Sequence, residues 1–479
     1  MNTEIKLAVP ELKEALGGLG RVIGRGRSLP VLQTIRISRD GQGVVRLQAT
    51  DQETFLTYTT REPQEGPGVD VLVGADPLTR ASRCSRDEVG ILPEAGGKVR
   101  IRCNMAGNLV EQTIATPGVE SFPVAPVMRD PGVGLEPRFG RALKEALECS
   151  GGDAGRRILG GACLDVNDSR FHYVVGTNGK VLFAANSFSF PLTKPVIIPG
   201  SKFLGWSDFL EGEQGRLSVE PGAEEGSAGW VRLETDRWSY VTREIAGVYP
   251  DWKQCVPGKS GKWTQINLGE EVVAQLLLVV PNLPGGTMVN RPVRLRVDGG
   301  LFAEGRAGME EPWVGVPVDG AGITGLPVSI CLNRDYLLKG LQFGLNRIEI
   351  QDPLTPLVMS RGGRKLVIMP VRGGEDVEPA REPAQEPAEE PISQKPAVEQ
   401  SPVAEVPVEP PVASPAEKVT ATKGLVELAD QIRESLRGTL RELGTLIDTV
   451  KQAEREKRAS DREIESIRAK LRQIRSVSL

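Results

Sequence analysis

The 479-residue sequence predicts an α+β body built from three copies of one unit, followed by a linker and a helical tail. Three observations carry that prediction. Two sequence landmarks recur at one interval, every unit opens on a helical pattern, and the composition changes abruptly after residue 372.

The first landmark is a polar turn between two alternating strands. Thr50-Asp51 lies in "VVRLQATDQETFLTYTT" and Thr177-Asn178 in "FHYVVGTNGKVLFAANS", 127 positions apart. The second, Phe122-Pro123 in "VESFPVAP" and Tyr249-Pro250 in "GVYPDWKQCVP", has the same separation. A further step of that length falls on Glu304-Gly305, inside "VRLRVDGGLFAEGRAGMEEPWVGVPV", which again reads strand, turn, strand.

Each unit starts with apolar residues at three- and four-residue spacing: "PELKEALGGLGRVIG", "RFGRALKEALECSG" and "LGEEVVAQLLLVVPN". Midway, a short strand runs into a second helical pattern in "VDVLVGADPLTRASR", "PVIIPGSKFLGWSDFL" and "PVSICLNRDYLLKGLQF". The units are expected at 1–127, 128–258 and 259–372, each ordered helix, strands, helix, strands.

Residues 373–420 carry ten prolines, eleven acids and three bases. Such a segment buries too little apolar surface to offset the entropy of ordering, so an extended linker is expected. Residues 421–479 then carry thirteen bases and ten acids. Leu436, Leu443, Val450, Ile464 and Leu471 fall at one heptad core position; Leu425, Ile432, Leu446, Ala453, Ile467 and Ile474 fall at the other. Lys457 and Ser460 interrupt the seam, and the outer positions are Glu- and Arg-rich. A coiled-coil helix that self-associates or grips a partner helix is expected there.

The body 1–372 has 43 bases and 42 acids, so its net charge says nothing about partners and the distribution has to. No run of eighteen apolar residues occurs, and the start "MNTEIKLAVPEL" lacks a signal-peptide layout, so a cytoplasmic protein with no membrane partner is expected. Six cysteines stand singly, which suggests neither a disulfide framework nor a metal site. The one histidine, His172, lies in an alternating strand and reads as structural. With no phosphate-binding loop, nucleophile elbow or acidic metal constellation, neither catalytic residues nor a cofactor are expected.

Eight stretches, in order, resemble one family. They are "LPVLQTIRI", "TDQET", "RRILGGACLDV", "GTNGKVLFA", "YPDWKQCVP", "LNRDYLLKGLQ", "DPLTPLVM" and "VIMPVR". Together they resemble the bacterial sliding clamp, the β subunit of DNA polymerase III, across 1–372. The resemblance implies three clamp domains forming half of a ring, closed around duplex DNA by a head-to-tail homodimer. It implies a non-catalytic processivity factor that tethers DNA polymerase and clamp-loader subunits by short peptides. Carried over residue by residue, the peptide groove comprises Leu159, Thr177, Gly179, Leu182, Pro250, Pro356, Val367, Met369, Pro370, Val371 and Arg372. The subunit contact is expected at the strand Leu109–Ile114.

A ring that moves along any sequence touches phosphates with flexible cations and avoids base edges. The DNA-facing set expected on the helices is Lys13, Arg21, Arg25, Arg27, Arg80, Arg83, Arg138, Arg141, Lys144, Arg156, Arg157, Lys202 and Lys339. The third unit's first helix has two acids and no base. The family's acidic turn is here Thr177-Asn178-Gly179-Lys180, and 107 residues follow Arg372 where an ordinary clamp ends. That extension either shields the groove or presents a partner beside it. The competing reading is a clamp-derived scaffold, oligomerised by its coiled coil and not loaded on DNA.

Overall fold

The computed structural model describes residues 3–23, 29–151, 155–210, 214–222 and 227–371. All of these residues fall in one compact unit. The linker and coiled-coil expectations lie outside the described residues.

Five helices form where the apolar spacing placed them: α1 (Val9–Leu19), α2 (Ala75–Cys84), α3 (Phe139–Cys149), α4 (Glu270–Asn282) and α5 (Arg334–Gln342). In α1, Pro10 sits in the first turn, where its missing N–H costs nothing, and Glu11 complements the helix dipole. Val9, Leu12, Ala15 and Leu19 turn inward, leaving Lys13 exposed. Asn333 caps α5 by accepting from Asp335 N at 2.8 Å.

The second unit departs from expectation. After the strand Val196–Pro199, Ser201–Leu210 forms successive tight turns and no second helix. Single bonds from Gly205 N to Ser201 O, Trp206 N to Phe203 O and Phe209 N to Trp206 O do not propagate. Gly205 weakens a continuing helix, and Phe203, Trp206 and Phe209 at intervals of three pack onto Tyr240 and Trp238. Aromatic burial at that spacing overrides the α period.

All strand pairing is antiparallel. Four strands, Ile5–Ala8, Glu88–Glu94, Lys98–Met105 and Asn108–Ala115, form one small sheet; Val314–Val318, Leu301–Gly305, Pro292–Val297 and Val328–Asn333 form another. Two larger sheets cross the boundaries between repeats. In the eight-stranded sheet, Thr54–Thr59 pairs with Trp238–Arg243, setting Leu56 opposite Tyr240. In the nine-stranded sheet, Val181–Phe188 pairs with Arg364–Ile368, setting Leu182 opposite Val367.

The turn at the first landmark recurs bond for bond. Thr50 Oγ1 donates to Thr54 O and accepts from Gln52 N, while Asp51 Oδ1 accepts from Glu53 N and Thr54 N. Thr177 Oγ1 donates to Val181 O and accepts from Gly179 N, while Asn178 Oδ1 accepts from Lys180 N and Val181 N. Gln52 and Gly179 share a left-handed backbone, φ 81° and 85°. Side-chain capping of a tight turn explains why Thr-Asx recurs there.

Candidate partner groove and cationic helix face

The strands joining the second and third repeats are apolar on both faces. One face feeds the main core through Leu164, Val174, Phe183, Ile198, Leu366 and Ile368. The alternate residues, Cys163, Val175, Leu182, Ala184, Ile197, Val358 and Val367, make a separate cluster with Trp252. Ile158, Tyr173, Ile245, Tyr249 and Val256 pack at its margin.

Trp252 anchors that cluster. It lies in the 3₁₀ turn Trp252–Cys255, which Asp251 caps by accepting from Lys253 N, and its indole Nε1 donates to buried Asp165 Oδ2 at 2.8 Å. Tyr173 meets it edge-on with ring centroids 5.1 Å apart. The Lys253 ammonium lies 5.3 Å from the Tyr173 centroid and 5.8 Å from that of Trp252. Burial pushes the Cys163 thiol up to about 12, so it behaves as a small hydrophobe. Burial likewise raises the Tyr249 hydroxyl.

Leu182 and Val367 thus belong to this buried cluster, and Thr177 and Gly179 lie in the turn that leads into it. Gly179 takes its positive φ without strain, and a Cβ there would lie 3.3 Å from the movable tip of Arg156. Leu159 is buried in the 3₁₀ turn Arg157–Gly160 but belongs to neither cluster; its neighbour Ile158 makes the packing contact. Pro250 is exposed beside Tyr249, and Pro356 is half-buried just before the strand Leu357–Arg361. Met369, at 39% exposure, offers a flexible apolar side chain to solvent.

Met369 N donates to Lys180 O at 2.9 Å, Pro370 bridges Leu332, and Val371 N donates to Cys331 O at 2.8 Å. Arg372 lies outside the described residues. Asn178, which departs from the acidic turn, sends Nδ2 to Tyr336 Oη on α5 at 3.1 Å, so its amide ties the two repeats.

Sequence reasoning missed Cys163, Tyr173, Val175, Ala184, Ile197, Trp252 and Val358. A strand buried on both faces shows no polar alternation, so its second apolar set is hidden in a continuous run. The one available signal was "YPDW", an aromatic pair beside a turn.

The expected DNA-facing cations divide. Lys13, Arg21, Arg80, Arg83, Arg138, Arg156, Arg157 and Lys202 are exposed, with the Arg21 guanidinium 5.2 Å from the Trp206 ring centre. Three others are engaged in the fold. Arg141 donates to Glu145 Oε1 at 2.9 Å and to Phe343 O; Lys144 donates to Ser207 O at 3.0 Å; Lys339 donates to Glu148 O. Arg364 joins the clasp on buried Glu145 at 2.6 Å, tying the second repeat to the third. Arg25 and Arg27 lie outside the described residues. The exposed face of α4 carries Glu270, Glu271, Ala274 and Leu278, the last at 71% exposure.

His172 is structural in its bonding: Nδ1 accepts from Phe190 N at 2.7 Å and the two rings stack. Among the described residues, no group of three His, Cys, Asp or Glu side chains is placed to hold a metal, and no helix is long and apolar enough to cross a membrane.

Repeated helix-and-sheet units with sheets running through their junctions define the sliding-clamp class of fold. In particular, the fold is that of the bacterial DNA polymerase III β subunits. The DNA polymerase sliding clamp of Bacillus subtilis superposes with a TM-score of 0.65 at 17% identity, covering 77% of this chain and 99% of that one. The β subunit from DNA polymerase of Streptococcus pyogenes gives 0.65 at 16%, covering 77% and 100%. A Pseudomonas aeruginosa sliding clamp solved bound to griselimycin gives 0.65 at 19%, covering 77% and 99%. No family model matches the chain.

Proposed function

We propose that the chain is a DNA sliding clamp: a non-catalytic cytoplasmic processivity factor with domains at 1–127, 128–258 and 259–372. Two chains join head to tail around duplex DNA, and the groove at the second junction holds polymerase and clamp-loader peptides. The observation that carries this reading is the pair of unlike free edges. Both junctions lie within continuous sheets, while one small sheet ends on Asn108–Ala115 and Ile5–Ala8 and the other on Val314–Val318 and Val328–Asn333; we take Asn108–Ala115 and Val314–Val318 as the pairing edges. Asn108–Ala115 is exposed along nearly its whole length, Leu109 to 65%. Val314–Val318 contains Pro317, a residue tolerated on sheet edges. An edge left open in this way is a template for another chain's strand, and pairing the first edge of one chain with the second edge of the other fits two-chain closure.

Met369, exposed beside the buried apolar cluster, is the side chain best placed to meet a short apolar peptide, and we place griselimycin there as well. The exposed cations of α1 and α2 supply sequence-independent phosphate contacts. The base-free exposed face of α4, with Glu270 and Glu271 beside Ala274 and Leu278, favours one alternative, the scaffold that is never loaded.

Topology separates the two readings. After incubation with a clamp loader and ATP on nicked circular DNA, a closed ring is retained through a 1 M salt wash and is lost when the circle is cut. A scaffold leaves both DNA forms equally under that wash, and that result would sink the clamp reading.

A further inference from the structure

The described chain ends at Val371 on the rim of the groove, and what surrounds that end is cationic. Lys180, whose carbonyl holds Met369 N, is exposed; Arg156 lies against the Gly179 turn; Arg157 is exposed one residue further on. Lys253 covers the Tyr173 and Trp252 rings at the far end of the strand His172–Thr177, paired with Asp168 at 3.8 Å. Among the described residues, Arg156, Arg157 and Lys180 make no ion pair.

The sequence that follows is GGEDVEPAREPA, residues 373–384, with four acids against one base. Two glycines come first, permitting the chain to reverse, and Val377 stands among the acids. Pro379 and Pro383 lack N–H groups and favour an extended backbone. Extended, twelve residues reach about 40 Å, ample to return across a groove whose rim they start from.

We propose that residues 375–382 fold back across this rim as an intramolecular competitor. Glu375, Asp376, Glu378 and Glu382 would meet the Arg156 and Lys180 cations and, further along, Lys253, with Val377 beside the exposed Met369 side chain. The inference rests on the groove reading above and names a regulator of that same site. Each exposed ion pair is weak, but tethering at the rim supplies a millimolar-range effective concentration that a free competitor lacks.

The test uses the full chain and griselimycin as the probe. The variant E375Q/D376N/E378Q/E382Q is expected to bind griselimycin about three- to tenfold more tightly than the parent at low salt, the gap closing near 0.5 M NaCl. Carbodiimide cross-linking of the parent is expected to join Lys180 or Lys253 to acids of 375–382 within one chain. Equal or weaker binding by the variant overturns the proposal while leaving the groove intact. Cross-links found only between chains overturn it in favour of a second copy as occupant. Binding by neither protein, with both folded by circular dichroism, removes the groove reading and this inference with it.

Discussion

Arg334 is 0% exposed, yet backbone oxygens take the place of a carboxylate around it. Its guanidinium reaches Val280 O, Pro281 O, Leu283 O, Pro284 O, Arg291 O and Pro292 O, so one side chain satisfies the end of α4 and orders the loop after it. Burial pulls its pKa down, but a guanidinium stays charged throughout the range in which proteins fold. Arg334→Met keeps the length and removes every donor, so about 3 kcal/mol of stability should be lost in urea titrations. Arg334→Lys should recover little, because three donors on a point charge cannot span that cage. Full recovery by lysine would show that charge alone matters. Nothing in "CLNRDYLL" announces this role: a charged residue at a helix start reads as solvated, and only the returning loop buries it.

Among the elements, the edge strand Asn108–Ala115 carries the sharpest expectation. Leu109→Arg adds a charge at an exposed position, which should leave the monomer's melting temperature nearly unchanged and abolish dimer in sedimentation velocity at micromolar concentration. A dimer that survives would move the contact elsewhere. This strand was legible only through the family resemblance, since "NLVEQTIA" does not alternate, whereas α1 to α5 were legible because one face of each is apolar. The missing helix at Ser201–Leu210 was not. Its residues "KFLGWSDFL" satisfy a helical pattern as written, and only the aromatic ring stack beneath them selects turns. The apolar cluster at the second junction was half legible for a similar reason: Leu182 and Val367 came from the family resemblance, whereas Trp252 and Val358 emerge only when the Leu182–Val367 ladder brings two repeats together.

For the whole molecule, the two junction sheets have an energetic consequence. Separate domains on linkers would melt independently, but here Leu56 opposite Tyr240 and Leu182 opposite Val367 place ladder bonds and core packing across both junctions. Calorimetry on the full chain should therefore show one cooperative transition for the clamp-like body, with calorimetric and van't Hoff enthalpies in agreement. Three resolved peaks would contradict it. The junctions are also closely fitted: a methyl at Gly18 would come within 2.3 Å of the Trp238 ring, and Glu145 is gripped by both Arg141 and Arg364. That fit acts as a protractor. Two unlike ends that attract each other meet in a circle only if the bends between them sum to a full revolution; any other sum makes the same contact run on as a helical filament. On the proposed clamp reading, a bulkier side chain wedged beside Trp238 would then be read out less as lost stability than as a different object under the electron microscope, a fibre in place of the proposed ring.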